Sequence, residues 1–513
     1  MAARSRKAAG RWENAMSDKS HMYGGGESYS GIVPSKQPNE DRGGSQEVVE
    51  GRPPTKENTG EPNSRRTPRR GSEPSGLDRV REAAKKDGKL RFTALLHHVT
   101  VDLLRDSYHS LKKRAAPGVD GMTWEEYGPD LEARLADLHG RIHRGAYHAR
   151  PSKRVWIPKA DGRQRPLGIA ALEDKIVQHA VGTVLNRIWE EDFLGFSYGF
   201  RPGRSQHDAL DALYVGIVRK KVNWVLDLDI RAFFDRISHA WLIQFVEHRI
   251  GDQRIVRLIQ KWLKAGVMEQ GRWHETEEGT PQGSVISPIL ANLYLHYVLD
   301  LWVEQWRKKP ARGDVIIVRY ADDAVLGFQY REEAERFLEQ LRERLAKFGL
   351  ELHPEKTRLI EFGRYAAERR KKHGEGKPET FHFLGFIHIC GKSREKGYFT
   401  VYRRTIGKRM AAKLKDIQQK LRMRRHAPDG TTVRWLISVV RGYFQYHAVP
   451  DNEERLKAFR NDVLRLWLRQ LRRRSQRTRW TWPRFQERLG DLLPPVEILH
   501  PWPPERFAAK HPR

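Results

Sequence analysis

Cysteine is almost absent from this 513-residue chain: Cys390 stands alone, which excludes a disulfide framework and a cysteine-built zinc site. No apolar run approaches the ~18 residues that a membrane span needs, and the N-terminus carries no basic-then-apolar secretion signal. Its first residues are basic, but Glu13, Asp18 and Glu27 follow and argue against an organellar transit peptide. Negative charge is scarce as well. Against 95 Lys and Arg stand 65 Asp and Glu, a formal charge of +30. A surplus of that size points to a polyanionic partner, nucleic acid above all. A reducing, cytoplasmic setting without membrane fits the remaining absences. The surplus is also uneven: residues 401–513 hold 27 Lys/Arg and 10 Asp/Glu, a net of +17.

Residues 1–76 have no apolar period and are rich in Gly, Ser, Pro, Glu and Arg, so they read as a disordered basic and polar segment. Residues 77–150 read as helical: Leu95, Leu96, Val99, Leu103, Leu104, Tyr108 and Leu111 keep helical spacing, and after a loop at Pro117–Gly121 a second helix runs to about His143. From 151 to 400 short β-branched strands alternate with helices, an α+β pattern. From Arg403 onward the pattern is helical only, with one stripe through Ile406, Met410, Leu414, Ile417 and Leu421 and two more helices at Val433–Tyr446 and Leu456–Leu471. The last residues, 491–513, with Pro494-Pro495 and Pro501-Trp502-Pro503-Pro504, read as an irregular tail.

The chemistry concentrates in the middle. Val315–Phe328 contains two apolar strands flanking Ala321-Asp322-Asp323, which puts two acids at a hairpin tip. Adjacent carboxylates repel and call for cations; Mg²⁺, which prefers oxygen ligands and shares its sphere with phosphates, is the natural one. A lone Asp-Asp turn is usually only a turn, but a second acidic strand lies upstream. In Trp224–Ile230, period 2 sets Asp227 and Asp229 on one face and Leu226, Leu228 and Ile230 on the other. Two-metal phosphoryl transfer needs carboxylates from separate strands converging on one point, and Asp229, Asp322 and Asp323 supply that set. Asp227 and Asp235 are read as supporting residues. Between the strands, Gly279-Thr280-Pro281-Gln282-Gly283 lets backbone approach a ligand, with Gln282 at its apex. Ser287-Pro288 reads as a helix start, and Leu290, Leu293, Tyr294, Tyr297, Val298 and Leu301 as that helix's buried face. Upstream, Arg154–Ile169 reads as a β-hairpin turning at Asp161-Gly162, with Lys159 and Arg165 placed to meet a triphosphate.

These residues resemble the group II intron-encoded reverse transcriptase/maturase family over nearly all of 77–513. Gly118-Val119-Asp120-Gly121 looks like its N-terminal marker, the 154–169 hairpin its first fingers motif, and Phe196–Ser205 its second. Asp229 to Asp235 matches palm motif A, Thr280-Pro281-Gln282-Gly283 motif B, and Tyr320-Ala321-Asp322-Asp323 motif C. Gly349–Thr357 looks like motif D, and Phe383-Leu384-Gly385-Phe386 like the motif after it. The resemblance implies a right-hand polymerase fold, fingers and palm, followed by an all-helical thumb or maturase domain at 401–490. It implies an RNA-directed DNA polymerase that also binds its intron RNA for splicing and mobility, with RNA template, DNA primer, target DNA and dNTPs as partners.

Residue by residue it implies two Mg²⁺ ions on Asp229, Asp322, Asp323 and the Ile230 carbonyl. Lys159, Arg165 and Lys153 would meet the triphosphate, Gln282 the incoming base pair, and Phe234 the sugar; Lys356 would protonate pyrophosphate or form a plain salt bridge. RNA contacts are expected at Arg201 and Arg204, and at Arg472, Arg473, Arg474, Arg477 and Arg479 beside Trp480 and Trp482, where phosphate contact and stacking combine. Many relatives continue into a Cys/His-bearing endonuclease domain. This chain stops at Arg513 without those cysteines, so second-strand cleavage is not expected of it, and priming from a nick or a nascent strand is. The competing readings are a splicing-only maturase, against which the three aspartates argue, an RNA-dependent RNA polymerase, disfavoured by Phe234, and a domesticated reverse transcriptase in phage defence or CRISPR adaptation.

Overall fold

A computed structural model describes residues 76–158, 164–280, 283–393, 397–474 and 480–511. They form two units, one of residues 76–379 with 392–400 and the other of 380–391 with 401–511. The boundary differs from the one expected at 400, because the strands β9 (Phe381–Phe383) and β10 (Phe386–Lys392) belong mainly with the helices that follow.

The larger unit contains two sheets. In the first, β1 (Ser152–Pro158) and β2 (Gln164–Ile169) pair antiparallel, and β4 (Val267–Glu269) joins β1 in parallel before pairing with β5 (Arg272–His274). The turn expected at Asp161-Gly162 lies outside the described residues. The second sheet is antiparallel, in the order β6-β7-β3-β8: β6 (Val315–Tyr320), β7 (Asp323–Phe328), β3 (Trp224–Leu228) and β8 (Arg358–Glu361). Antiparallel sheets often leave one face in water, but here both faces are covered: the neighbours Val225 and Leu226, and Val325 and Leu326, are buried, as is Leu228. The helix Leu172–Asp192 is apolar around most of its circumference and runs through the core.

The helix expected after Ser287 is present, with Pro288 in its first turn, but Ile286 rather than Ser287 occupies the cap. Its buried face departs from the sequence pattern. Leu290, Leu293, Tyr294 and Val298 are buried, whereas Leu301 is 40% exposed and Leu299, Asp300 and Val303 are inside. The cause is a π-turn at His296–Asp300 between the α-helical segments Ser287–Leu295 and Leu301–Lys308; it adds a residue and shifts the phase of everything after it.

β11 (Phe399–Thr405) completes a three-stranded sheet with β9 and β10. Helices Gly407–Met423, Asp429–His447 and Glu453–Arg472 follow, their apolar faces meeting around Ile417, Leu436, Phe459 and Trp467. The tail read as irregular contains a helix, Pro503–Lys510, opened by two prolines in its first turn. Among the described residues no helix is long and apolar enough to cross a membrane.

Candidate active site

Strand β3 ends at Leu228, so Asp229 is the first residue past the sheet. Pairing of Leu228 with Ala324 and of Tyr320 with Asp323 leaves Ala321 and Asp322 as the hairpin tip. One further step along the same register sets Asp229 beside Asp323. Burial pushes the Asp322 carboxyl above the usual carboxylate range and Asp229 adds to the rise, while Arg165 and Arg319 oppose it. Those four groups therefore share one electrostatic environment. Asp227, two residues back, is pushed up to about 6 by burial, with Arg358 pulling it down and Asp229 raising it further. Among the described residues no three His, Cys, Asp or Glu side chains stand together as a ready-made metal cage.

The segment expected to act as motif D wraps Asp229. Its carbonyl accepts from His353 N at 2.8 Å, and the Thr357 hydroxyl lies 3.3 Å from both its amide and its carbonyl. Lys356 Nζ donates to Asp229 Oδ2 at 2.9 Å, so the cation is on the carboxylate itself. The bridge between Ile230 and Leu352 bonds through Asp229 O and Arg231 N. That narrow pairing leaves the Ile230 carbonyl out of the ladder.

Two turns of this site hold non-glycine residues at positive φ: Ala321 (φ 57) beside Asp322, and Ala232 (φ 47) after Ile230. Each costs roughly 1–2 kcal/mol, and such conformations collect at functional sites. Ala232 opens the short helix Phe233–Asp235. Phe233 points into the core, whereas Phe234 is half-buried at its edge, the rings 5.3 Å apart. The loop at Gly279–Thr280 docks on that turn through Thr280 N to Phe234 O and Gly279 N to Ile237 O, both 2.8 Å. Gly279 (φ 84) is required there, since a Cβ would lie 2.9 Å from the Phe234 and Asp235 carbonyls.

Beyond the loop, the buried Gln178 Oε1 accepts from Ser284 Oγ at 2.8 Å and Val285 N at 3.1 Å. Sequence reasoning missed Gln178, whose signal was a polar residue inside an otherwise apolar helix. Gln282 and Lys159 lie outside the described residues. A cleft of about 260 Å³ opens between β2 and this loop, lined by Arg154, Gly168, Asp235, Glu278 and Gly279 among others.

Of the expected triphosphate cations, Arg165 shares a face of the β1–β2 hairpin with Ile157 and Leu167 and acts on Asp322. Lys153 is exposed on the same face, four residues or about 13 Å along the strand, beside Met268. The motif at Phe196–Ser205 does not present Arg201 to RNA. That side chain is buried, paired through Nε and Nη2 with Glu190 at 3.0 Å, and bonded to the Leu194 and Ser197 carbonyls. Arg201 is therefore a structural residue with its guanidinium occupied inside the protein, not the RNA contact expected of it. Arg204 is half-buried, bonds the Gly195 carbonyl and lies over the Tyr198 ring.

What the motif does instead is brace the aspartate hairpin. Tyr198 N bonds Arg319 O, and Arg319 N bonds Phe196 O. In the smaller unit Arg472 and Arg473 are exposed; Arg472 Nε bonds the Trp480 carbonyl and Arg474 Nη2 that of Ala427. Arg477 and Arg479 lie outside the described residues.

Residues 157–388 match the family model described as reverse transcriptase (RNA-dependent DNA polymerase). Over 336 residues the chain is 34% identical to Protein YkfC of Escherichia coli K12, covering 57% of this chain and 87% of that protein. The group II intron-encoded protein LtrA of Lactococcus lactis subsp. cremoris is 33% identical over 242 residues, 46% of this chain but only 40% of LtrA. An uncharacterized 91 kDa protein in a cob intron of Schizosaccharomyces pombe is 38% identical over 213 residues, 40% of this chain and 25% of that protein. With the site geometry above, these likenesses place the chain in the group II intron-encoded reverse transcriptase/maturase family, as an RNA-directed DNA polymerase.

Proposed function

We propose that the chain extends a DNA primer on an RNA template by two-metal nucleotidyl transfer, and that it also holds its group II intron RNA for splicing and for mobility into target DNA. The observation that supports the reading is the strand register, Leu228 with Ala324 and Tyr320 with Asp323, which sets Asp229 at the end of β3 beside the Ala321-Asp322-Asp323 tip. Reverse transcriptases use divalent metal ions. Mg²⁺ takes one or two protein carboxylates and completes its sphere with water and phosphate oxygens, so Asp229, Asp322, Asp323 and the Ile230 carbonyl are a fitting donor set. When bound, the ions would lower the pKa of the primer 3′-hydroxyl and balance charge on the phosphate in flight.

The chain's own residues do the rest. Arg165, with Lys153 and Lys159, would draw the triphosphate toward the carboxylates, and Gln282 would meet the new base pair. Lys356, bonded to Asp229 Oδ2 at 2.9 Å, would hold that carboxylate and is the candidate to protonate departing pyrophosphate. Primer extension on a defined RNA template, with Mg²⁺ and dNTPs, tests the polymerase; in vitro splicing of the flanking intron tests the maturase. No extension by pure full-length protein, or splicing equally fast without it, would remove the respective half.

Phe234 sits at the core's edge rather than within it, which suits a ring lying under the incoming sugar. A ribose 2′-hydroxyl there would lose water without gaining a partner, a cost of ~1–3 kcal/mol before steric overlap. Phe234→Val should therefore admit ribonucleotides, raising rNTP relative to dNTP insertion by about tenfold or more. Single-nucleotide insertion on one primer–template measures the ratio. Parallel loss of both rates with the ratio unchanged would make Phe234 ordinary packing.

The basic residues 401–513 support RNA binding. Reversing Arg472, Arg473 and Arg474 to Glu should weaken the hold on intron RNA. The slope of log K against log salt should become shallower by roughly one for each phosphate that those arginines neutralise. Extension of a short primer–template should change little. Equal loss of both activities would make this segment part of the polymerase fold alone.

A further inference from the structure

Arg319 and Asp300 are both wholly buried. The guanidinium engages four partners. Nε and Nη2 grip the two Asp300 oxygens at 2.7 and 2.5 Å, Nη2 also meets Ser197 Oγ at 2.7 Å, and Nη1 donates to Asn292 Oδ1 at 3.0 Å and to the Ala321 carbonyl at 2.9 Å. Asn292 in turn donates to the Gly199 carbonyl at 2.6 Å. The last of Arg319's partners matters most, because Ala321 is the strained residue that immediately precedes Asp322.

The helix that supplies both Asn292 and Asp300 is built for this. At about 100° per residue, positions eight apart on a regular α-helix diverge by roughly 80°. A π-turn inserts one residue without advancing the helix, which leaves them roughly 20° apart. The π-turn at His296–Asp300 thus turns Asp300 onto the face of Asn292 and, in the same stroke, turns Leu301 outward.

We propose that Arg319, clamped by Asn292 and Asp300 on the π-turn helix, is a positioning residue for nucleotidyl transfer: it sets the Ala321-Asp322 turn against Asp229. The proposal rests on the reading of Asp229 and Asp322 as the reacting centre. A buried ion pair is a poor device for stability alone, since apolar residues of similar volume often serve as well or better. What they cannot supply is a donor to the Ala321 carbonyl. Lysine, a point charge, cannot span Asp300 and Ala321 together as a guanidinium does.

The test compares Arg319→Met, Asp300→Leu, the pair of them together, and Arg319→Lys, all in the full chain. Either apolar single leaves a buried charge alone and should lower both melting temperature and activity. The double variant removes both charges and should melt near wild type, yet its kcat in primer extension should fall about 100-fold, the cost of a misplacement near 1 Å. Its affinity for primer–template, read by fluorescence anisotropy, should stay within a few fold. On a dideoxy-terminated primer, where no turnover occurs, retention of the matched dNTP should weaken about tenfold. Arg319→Lys should fold without restoring either value.

A double variant with wild-type kcat and dNTP retention would reduce the cluster to an interchangeable buried pair and overturn the proposal. If the double variant does not fold, Asn292→Leu decides, since it leaves the ion pair intact: unchanged kcat there overturns the proposal as well. Asp322→Asn is the reference. Full activity in that variant would overturn the assignment of the centre itself rather than the clamp.

Discussion

Asp322→Asn is expected to extend a primer about 10³-fold or more slowly than wild type, while melting at the same temperature or higher. Asparagine keeps the size and most hydrogen bonds of the carboxylate but removes its charge, and a preorganised charge aimed at a transition state is worth about 10²–10³ in rate even where a single donor is removed. Asp323→Asn should show a comparable fall, and neither should abolish the proposed splicing function, which would need the protein surface rather than its carboxylates.

Stability should move the other way. Asp322 is held above the usual carboxylate range by burial and by Asp229, so its ionised form strains the protein in the absence of a cation. A carboxyl with a raised folded pKa binds protons more tightly folded than unfolded, so its contribution to stability falls as pH rises from the ordinary value of about 4 through its folded pKa. For Asp227, raised to about 6, that window is about 4 to 6. Metal-free protein should accordingly become less stable as pH rises through this range, and Asp322→Asn should show a smaller decline. Melting curves in chelator from about pH 4 to 8, beside single-turnover extension in Mg²⁺, check both halves. Retained activity, or a marked drop in melting temperature, would count against Asp322 as a metal-facing carboxylate.

Gly199→Ala is expected to remove activity almost as completely, from a residue that carries no chemistry. A Cβ at position 199 would lie 2.2 Å from the Ala321 nitrogen and 2.9 Å from the Tyr320 carbonyl carbon. These are backbone atoms of the aspartate hairpin and cannot swing aside as a flexible side chain would, so the strand pairing must open or the hairpin tip must move. A shift near 1 Å costs about 10²-fold in rate, and overpacking typically adds about 1–3 kcal/mol of instability. The effect is steric rather than conformational, since Gly199 is not among the residues at positive φ. Gly195, four residues earlier, has open space around its own Cβ position and provides the control: Gly195→Ala should extend primers normally. Comparable activity in both variants would mean that the Phe196–Ser205 segment does not brace the hairpin.

The carboxylate set was legible in the chain because its signal is local. Alternation around Asp227 and Asp229 and the strand–Asp–Asp–strand pattern around Asp322 are properties of a few adjacent residues, and the strand register sets the end of β3 beside the hairpin tip. The motifs around it were legible for the same reason, each as a short run of residues; Lys356 makes a salt bridge with Asp229, and Arg165 lies in the field of Asp322. Cation roles were less readable. An arginine in a sequence looks solvated, but Arg201 is desolvated and neutralised by Glu190, a partner eleven residues away that only the turn between them makes a neighbour.

By itself, the sequence determined the class of chemistry, the strands that carry it and the basic character of the helical segment, since these follow from residue type and short-range period. Only the tertiary structure decided how the aspartate turn is held. Arg319, Ser197, Asn292 and Asp300 lie up to 122 residues apart, and each alone reads as a polar interruption in an apolar pattern. The π-turn that aligns two of them leaves no mark on a 3.6-residue period except a phase slip, which placed Leu301 inside when it is outside and hid Asp300. A helix's phase is set by what it packs against, and that information resides in the fold, not in the helix.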